Sequence, residues 1–147
     1  MSDKQHIFHL ESVFAGGDGT ASSDGGNISY GLPVDFGGQS GRTNPEQLLL
    51  ASVSACYSLT LAVLAERRKL PFVRVEMEAE GIVSQQPGGT LKYESISLKP
   101  KIIMSGADES QLKSITDFAH KAEVYCPISN AIRGQVSVTV EPSIINE

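Results

Sequence analysis

Asn44-Pro45-Glu46-Gln47-Leu48-Leu49-Leu50-Ala51-Ser52-Val53-Ser54-Ala55-Cys56 is the stretch that decides the fold. Asn44 is a helix-capping residue, Pro45 suits the first helical position, and Gln47 falls where a capping-box partner belongs. The helix is expected to run to about Lys69 and to stop before Pro71. From Leu48 to Ala65 it carries eighteen residues without a charge, long enough for a membrane span. Ser52, Ser54, Cys56, Ser58 and Thr60 dilute that stretch, and the rest of the chain is hydrophilic. The simpler reading is a helix buried on most sides of a soluble protein. In a chain this small, a partner subunit would supply part of the cover.

On either side of this helix the pattern is β. His6 to Phe14 reads as a strand ended by a turn at Ala15-Gly16-Gly17-Asp18-Gly19, and a second strand is expected near Asn27–Leu32. Pro33 to Thr43 is a glycine-rich loop. Val73 to Glu80 alternates strictly and is a half-buried strand. Pro87-Gly88-Gly89-Thr90 turns it into a return strand, Leu91 to Met104, whose apolar parity slips between Tyr93 and Ile96, as a bulge would cause. Pro100 places the end of that strand at a sheet edge. Asp108, with Gln111, caps a second helix bearing Leu112, Ile115, Phe118, Ala119 and Ala122 on one stripe. A short helix runs from Pro127 to Gly134, and Val136 to Val140 is the last strand. The order β-β-α-β-β-α-α-β predicts an α+β sandwich over one domain, 1–147, with helices against an antiparallel sheet and the long helix buried at its centre.

Of the 147 residues, 40% are hydrophobic and 20% charged, an ordinary globular composition. A net charge of −5 argues against a nucleic-acid partner, which would need a clustered basic face. Arg67-Arg68-Lys69 reads as favourable charge in the last turn of the long helix. The opening Met1-Ser2-Asp3-Lys4-Gln5-His6 is polar, with no apolar stretch behind it, so neither a signal peptide nor a membrane association is expected. With two cysteines, the expected compartment is a reducing cytoplasm, where a disulfide would be transient and catalytic.

Those cysteines sit in unlike settings. Cys56 lies in the apolar helix, with Ser52, Val53, Leu59 and Thr60 one turn away on either side. Cys126 lies in Tyr125-Cys126-Pro127-Ile128-Ser129-Asn130, at the start of a helix, where free amides and the helix dipole favour a thiolate. A redox couple is one reading. Two inert buried thiols, a zinc site with His120 and Cys126, and a Cys-His acyl-transfer pair using His6, His9 or His120 are others. No paired-ligand spacing supports zinc, and neither a metal nor a cofactor is expected.

The chain resembles the OsmC/Ohr family of peroxiredoxin-like proteins. The likeness rests on Thr43-Asn44-Pro45-Glu46-Gln47-Leu48-Leu49 leading to Ser54-Ala55-Cys56, on Cys126-Pro127-Ile128-Ser129-Asn130-Ala131-Ile132, and on the order of elements over nearly the whole chain. It implies an intertwined homodimer with two sites at the subunit interface, and thiol-dependent reduction of organic hydroperoxides. Carried over, Cys56 would be the peroxidatic cysteine, Cys126 the resolving one, and Glu46 the carboxylate that orients a catalytic arginine. A dithiol, often on a lipoylated protein, would regenerate the thiols. One departure stands out. A family position for the arginine, in a Gly-Arg-Asp-Gly turn, corresponds here to Gly17, which leaves Arg42 as the candidate.

The expected function is therefore a cytoplasmic hydroperoxide reductase using Cys56, Cys126, Arg42 and Glu46. Leu49, Val53, Leu59 and Val63 would form an apolar wall favouring an alkyl or lipid hydroperoxide. A non-catalytic dimer binding an apolar small molecule, or a Cys-dependent acyl hydrolase, are the alternatives. Glu46 and Cys56 are ten positions apart on one expected helix, hence about 15 Å along its axis and on different faces. A Glu46 that serves Cys56 would have to come from a second subunit.

Overall fold

The computed structural model describes residues 4–147, which fall into two compact units divided after Leu48. Met1, Ser2 and Asp3, part of the polar opening read above, lie outside the described residues.

The first unit carries a three-stranded antiparallel sheet, β1 (Glu11–Ala15), β2 (Asp18–Ser23) and β3 (Gly26–Tyr30), in that order. The expected turn is present. Gly16 and Gly17 both take positive φ, 61° and 85°, as the tight hairpin turn that matches strand twist requires. The chain then re-enters the sheet at once, and β2 is the strand that the sequence reading passed over. Its residues are small and polar and show no apolar alternation, because the inward positions are Gly19 and Ala21. Gly19 has a steric reason: a Cβ there would overlap the Tyr30 ring. At the other end, His6 to Leu10 are not in a strand, and β1 begins only at Glu11. The loop from Pro33 to Thr43 includes one 3-10 turn, Val34–Phe36, and returns to the sheet through the Gly31 N–H, which donates to the Thr43 carbonyl.

α1 (Pro45–Arg67) starts as its sequence requires. The Gln47 N–H donates to the Asn44 side chain at 2.8 Å, and the Gln47 side chain accepts the Asn44 N–H at 3.3 Å. It stops where Lys69 takes a left-handed φ of 53° and the Leu70 N–H donates back to the Ala65 carbonyl, two residues short of Pro71.

In the second unit, β4 (Phe72–Gln85) and β5 (Leu91–Met104) form the long hairpin. The bulge falls inside the predicted window: Ile82 faces Ser95 and Val83 faces Tyr93, leaving Glu94 as the extra residue. A second irregularity leaves Val73 without a partner on β5. α2 (Glu109–Tyr125) carries the expected reciprocal Asp108–Gln111 cap, and α3 (Pro127–Ile132) follows directly. β6 (Ser137–Val140) and β7 (Ser143–Asn146) both run parallel to β5. Two expectations change here. The sheet is mixed rather than wholly antiparallel: the predicted last strand, β6, runs parallel to β5, and an additional strand, β7, does the same. Pro100 is not at a sheet edge: β5 is the central strand. Pro100 lies in the gap between the last pairing to β6, at Leu98, and the first to β7, at Lys101. That is where a residue without an N–H costs the ladder least.

The core joins one stripe of α1 (Val53, Tyr57, Leu61, Ala65) to one of α2 (Ile115, Phe118, Ala119, Ala122) over Ile96, Leu98, Ile102 and Met104 of β5. Each large aliphatic side chain buried there contributes about 1.5–3 kcal/mol. α1 is long and apolar enough to cross a membrane, yet it packs this stripe as the core helix of a folded unit does. Burial stops at that stripe: Ala51 and Ala55 are exposed, and Leu59 is 68% exposed.

Candidate functional site

The i, i+4 rhythm that buries Val53, Tyr57 and Leu61 puts Cys56 at the margin of the buried stripe, half-covered. Tyr57, wholly buried, donates its phenolic hydrogen to the Ala119 carbonyl and so ties α1 to α2. Six residues beyond Ala119 α2 ends, and Cys126 forms the corner. It closes α2 through its N–H to the Glu123 carbonyl, and opens α3 by accepting the Ser129 N–H on its sulfur at 3.4 Å. Pro127 occupies the first position of α3, where a missing N–H is harmless. Arg133 holds the corner shut, with its guanidinium on the Glu123 carboxylate at 2.8 Å and on the Asn130 side chain at 3.0 Å.

This corner brings Cys126, completely buried, into hydrogen-bonding reach of Cys56. Burial pushes the Cys56 thiol above its ordinary value, and the neighbouring Cys126 thiol pushes the same way. What opposes them is neutral: the Ile128 N–H, and the Thr60 hydroxyl, which shares its single hydrogen with the Cys56 carbonyl at 2.8 Å. Two neighbouring thiols, one partly exposed and one buried behind it, are the arrangement that oxidation can convert to a disulfide. Cys56 in this setting is a protonated thiol at neutral pH until a cation reaches it.

Arg42 and Glu46 lie in the first unit. The Arg42 guanidinium pairs with Asp18 at 2.8 Å, a half-exposed contact worth little in itself. Asp18 is the neighbour of Gly17, so Arg42 reaches the β1–β2 turn at the point where the family likeness puts an arginine. Glu46 is half-buried in the first turn of α1. Arg74 and Arg133 are engaged elsewhere, with Glu76 and Glu123. His120 is exposed on α2, and His6 and His9 are exposed in the first unit.

The sequence reading missed the groove beside Cys56. Cys56, Leu59, Thr60, Val63, Leu64 and Arg67 follow one another along α1 and face Tyr125 and Pro127 across a space of about 680 Å³. The signal was present: those positions are 0, 3, 4, 7, 8 and 11 from Cys56, a single helical face. Of the expected wall, Leu59 and Val63 line it, whereas Leu49 and Val53 turn to the core. The Ile128 N–H had no sequence signal, because it depends on how tightly the corner folds.

Residues 37–141 match the sequence pattern of a family described as OsmC-like protein. A Bacillus subtilis protein, YmaD, itself uncharacterised, is 32% identical over 143 residues, 95% of each chain. Peroxiredoxin OsmC of Escherichia coli is 27% identical over 133 residues, 88% of this chain and 90% of that one. A solved structure of an organic hydroperoxide resistance protein, OsmC, from Legionella pneumophila superposes with a TM-score of 0.73 at 27% identity, covering 95% of this chain and 99% of that one.

Proposed function

We propose, from the premise that this chain belongs to the OsmC-like protein family, that it reduces organic hydroperoxides through a Cys56–Cys126 redox pair. The observation that carries the reading is the contact between the two thiols at the α2–α3 corner. The Cys56 thiolate attacks the terminal peroxide oxygen: an S–O bond forms, the O–O bond breaks, and the alkoxide leaves as alcohol after taking a proton. Cys126 then attacks the sulfenic sulfur, an S–S bond forms and water departs. An external dithiol, as on a lipoylated protein, returns both sulfurs to thiols by exchange.

Burial opposes ionisation of Cys56, so the first step needs a cation, and Arg42 is the residue we assign to it. Its present partner, Asp18, is exchanged at little cost because the pair is half-exposed. Glu46 would orient the guanidinium through a bidentate pair. If Glu46 serves the site, its spacing along the helix requires it to reach the Cys56 of a second subunit, and we propose a homodimer with two shared sites. The exposed face of α1, with Ala51, Ala55 and Leu59, suits such an interface, since small residues let helices approach closely. We place this chemistry in the cytoplasm, where a dithiol pool exists.

Thiol titration after a stoichiometric pulse of cumene hydroperoxide tests the reading. It expects two thiols lost per chain, restored by a dithiol, and slower loss with hydrogen peroxide. Unchanged thiols after excess organic hydroperoxide would refute it.

A further inference from the structure

Thr60 sits one turn after Cys56 on α1, and both side chains open onto the same cavity. Helical side chains lean toward the N-terminus, so the Thr60 hydroxyl is carried back over Cys56. It donates to the Cys56 carbonyl at 2.8 Å, and the Cys56 sulfur lies within its hydrogen-bonding reach. The carbonyl does not depend on that bond, because the helix ladder already supplies it with the Thr60 N–H. Thr116 makes the same 2.8 Å bond to the Leu112 carbonyl on α2. There the residue one turn back offers only an alkyl side chain, so the bond is an ordinary helix back-bond. At Thr60 the hydroxyl stands between two acceptors, one of which can become an anion. We propose that Thr60 is a catalytic residue: when Cys56 gives its proton to solvent, the Thr60 hydroxyl turns its hydrogen from the carbonyl to the sulfur and holds the thiolate that attacks the peroxide. The proposal rests on the peroxidase reading for that last step alone.

A hydroxyl has one hydrogen and turns freely about its C–O bond, so the exchange moves no heavy atom. It trades a neutral hydrogen bond for one to a charged acceptor, which is about twice as strong. The Ile128 N–H reaches the same sulfur from α3, so the thiolate has a donor from each of two helices. Arg42 lies in the first unit, whereas Thr60 is fixed to the cysteine's own helix and is in place whenever α1 is folded. The titratable and charged groups facing Cys56 are Cys126 at the corner, Tyr125 at the end of α2 and Arg67 further along α1. A change at Thr60 leaves all three as they are.

The test follows Cys56 in the reduced, full-length protein by iodoacetamide labelling and peptide mass, across the pH range in which a thiol ionises. Thr60→Val keeps the branched shape and removes the hydroxyl. It should cut the thiolate population at neutral pH roughly five- to tenfold, the excess of a charged hydrogen bond over the neutral one it replaces. A more basic thiolate is also a stronger nucleophile, so labelling at neutral pH should slow only about threefold, and the two pH profiles should cross as Cys56 approaches full ionisation in both proteins. Oxidation of Cys56 by cumene hydroperoxide should slow at neutral pH in step with the labelling. Thr60→Ala should repeat the shift, Thr60→Ser should restore the wild-type profile, and Thr116→Val should match wild type. A Thr60→Val or Thr60→Ala profile that coincides with wild type, or that is lowered by one constant factor at every pH, overturns the proposal. A shifted profile in a protein that consumes no peroxide upholds the Thr60 switch and refutes the peroxidase reading. Coincident profiles in a protein that does consume peroxide overturn the switch and keep the peroxidase.

Discussion

Replacing Tyr57 by phenylalanine removes the bond that holds the Cys56 helix to the helix ending at Cys126. The Ala119 carbonyl it leaves behind lies inside α2, where a backbone donor four residues on still serves it, so the cost at neutral pH is that of a simple lost hydrogen bond, about 1 kcal/mol. In a chain of this size that lowers Tm by about 3 °C. The same burial pushes the phenol far above its ordinary value of 10.0. A raised folded value means that the unfolded chain loses its proton first. This contribution is intact below pH 10 and shrinks as pH rises above it. One proton released only on unfolding gives a slope approaching about 1.4 kcal/mol per pH unit, so by pH 11 wild type has lost about 1.4 kcal/mol that Tyr57→Phe never had to lose. Urea titrations of both proteins at pH 7, 9, 10 and 11, followed by far-ultraviolet circular dichroism, should show the gap of about 1 kcal/mol hold to pH 9, close between pH 10 and 11, and reverse by about 0.4 kcal/mol at pH 11. Other titrating groups cancel in the difference. A gap that stays constant to pH 11 would refute the argument that this phenol is held protonated by its burial.

Arg42→Ala should slow oxidation of Cys56 by roughly one to three orders of magnitude in stopped-flow, if its guanidinium stabilises the thiolate and the transition state. Its circular dichroism should match wild type because the pair with Asp18 is half-exposed; unchanged kinetics would remove Arg42 from the site. Cys126→Ser should lose a single thiol to peroxide and retain a sulfenic acid that dimedone traps, whereas wild type resists the trap. Mixing inactive Cys56→Ser with inactive Glu46→Ala subunits should restore one working site per heterodimer, and mixtures as dead as their parents would rule out a shared site. Ala51→Glu puts a charge on the exposed α1 face and should shift the protein to monomer in light scattering, with loss of peroxidase turnover.

What could be read from residues alone was local. Both long helices announced themselves through reciprocal caps, Asn44 with Gln47 and Asp108 with Gln111, because the partners are three positions apart. The Glu94 bulge was visible as a break in alternation. β2 was hidden because its inward positions are Gly19 and Ala21, small residues without apolar alternation, and the need for glycine at 19 is set by the Tyr30 ring across the sheet. Pro100 was misplaced because its position depends on where two later strands, β6 and β7, leave a gap. At the site, a Cys56–Cys126 couple was one of several readings of the residues and resemblance selected it, whereas the proximity of the two thiols depends on the α2–α3 corner. The Arg42–Asp18 pair joins residues 24 positions apart, and no local pattern foretells it.

β5 has a consequence for how the molecule comes apart. It pairs with β4 along nearly its whole length and with β6 and β7 in turn on its other side, while Ile96, Leu98, Ile102 and Met104 floor both long helices. Exposing one of its central amides to solvent means dismantling the neighbours that shield it. Those amides therefore exchange with deuterium only when the whole second unit opens, at a rate that reports its global stability. β7, four residues at the end of the chain, can peel away alone and exchanges far sooner. A labelling time course would accordingly separate one slow cooperative block, built around β5, from a terminal segment that breathes independently.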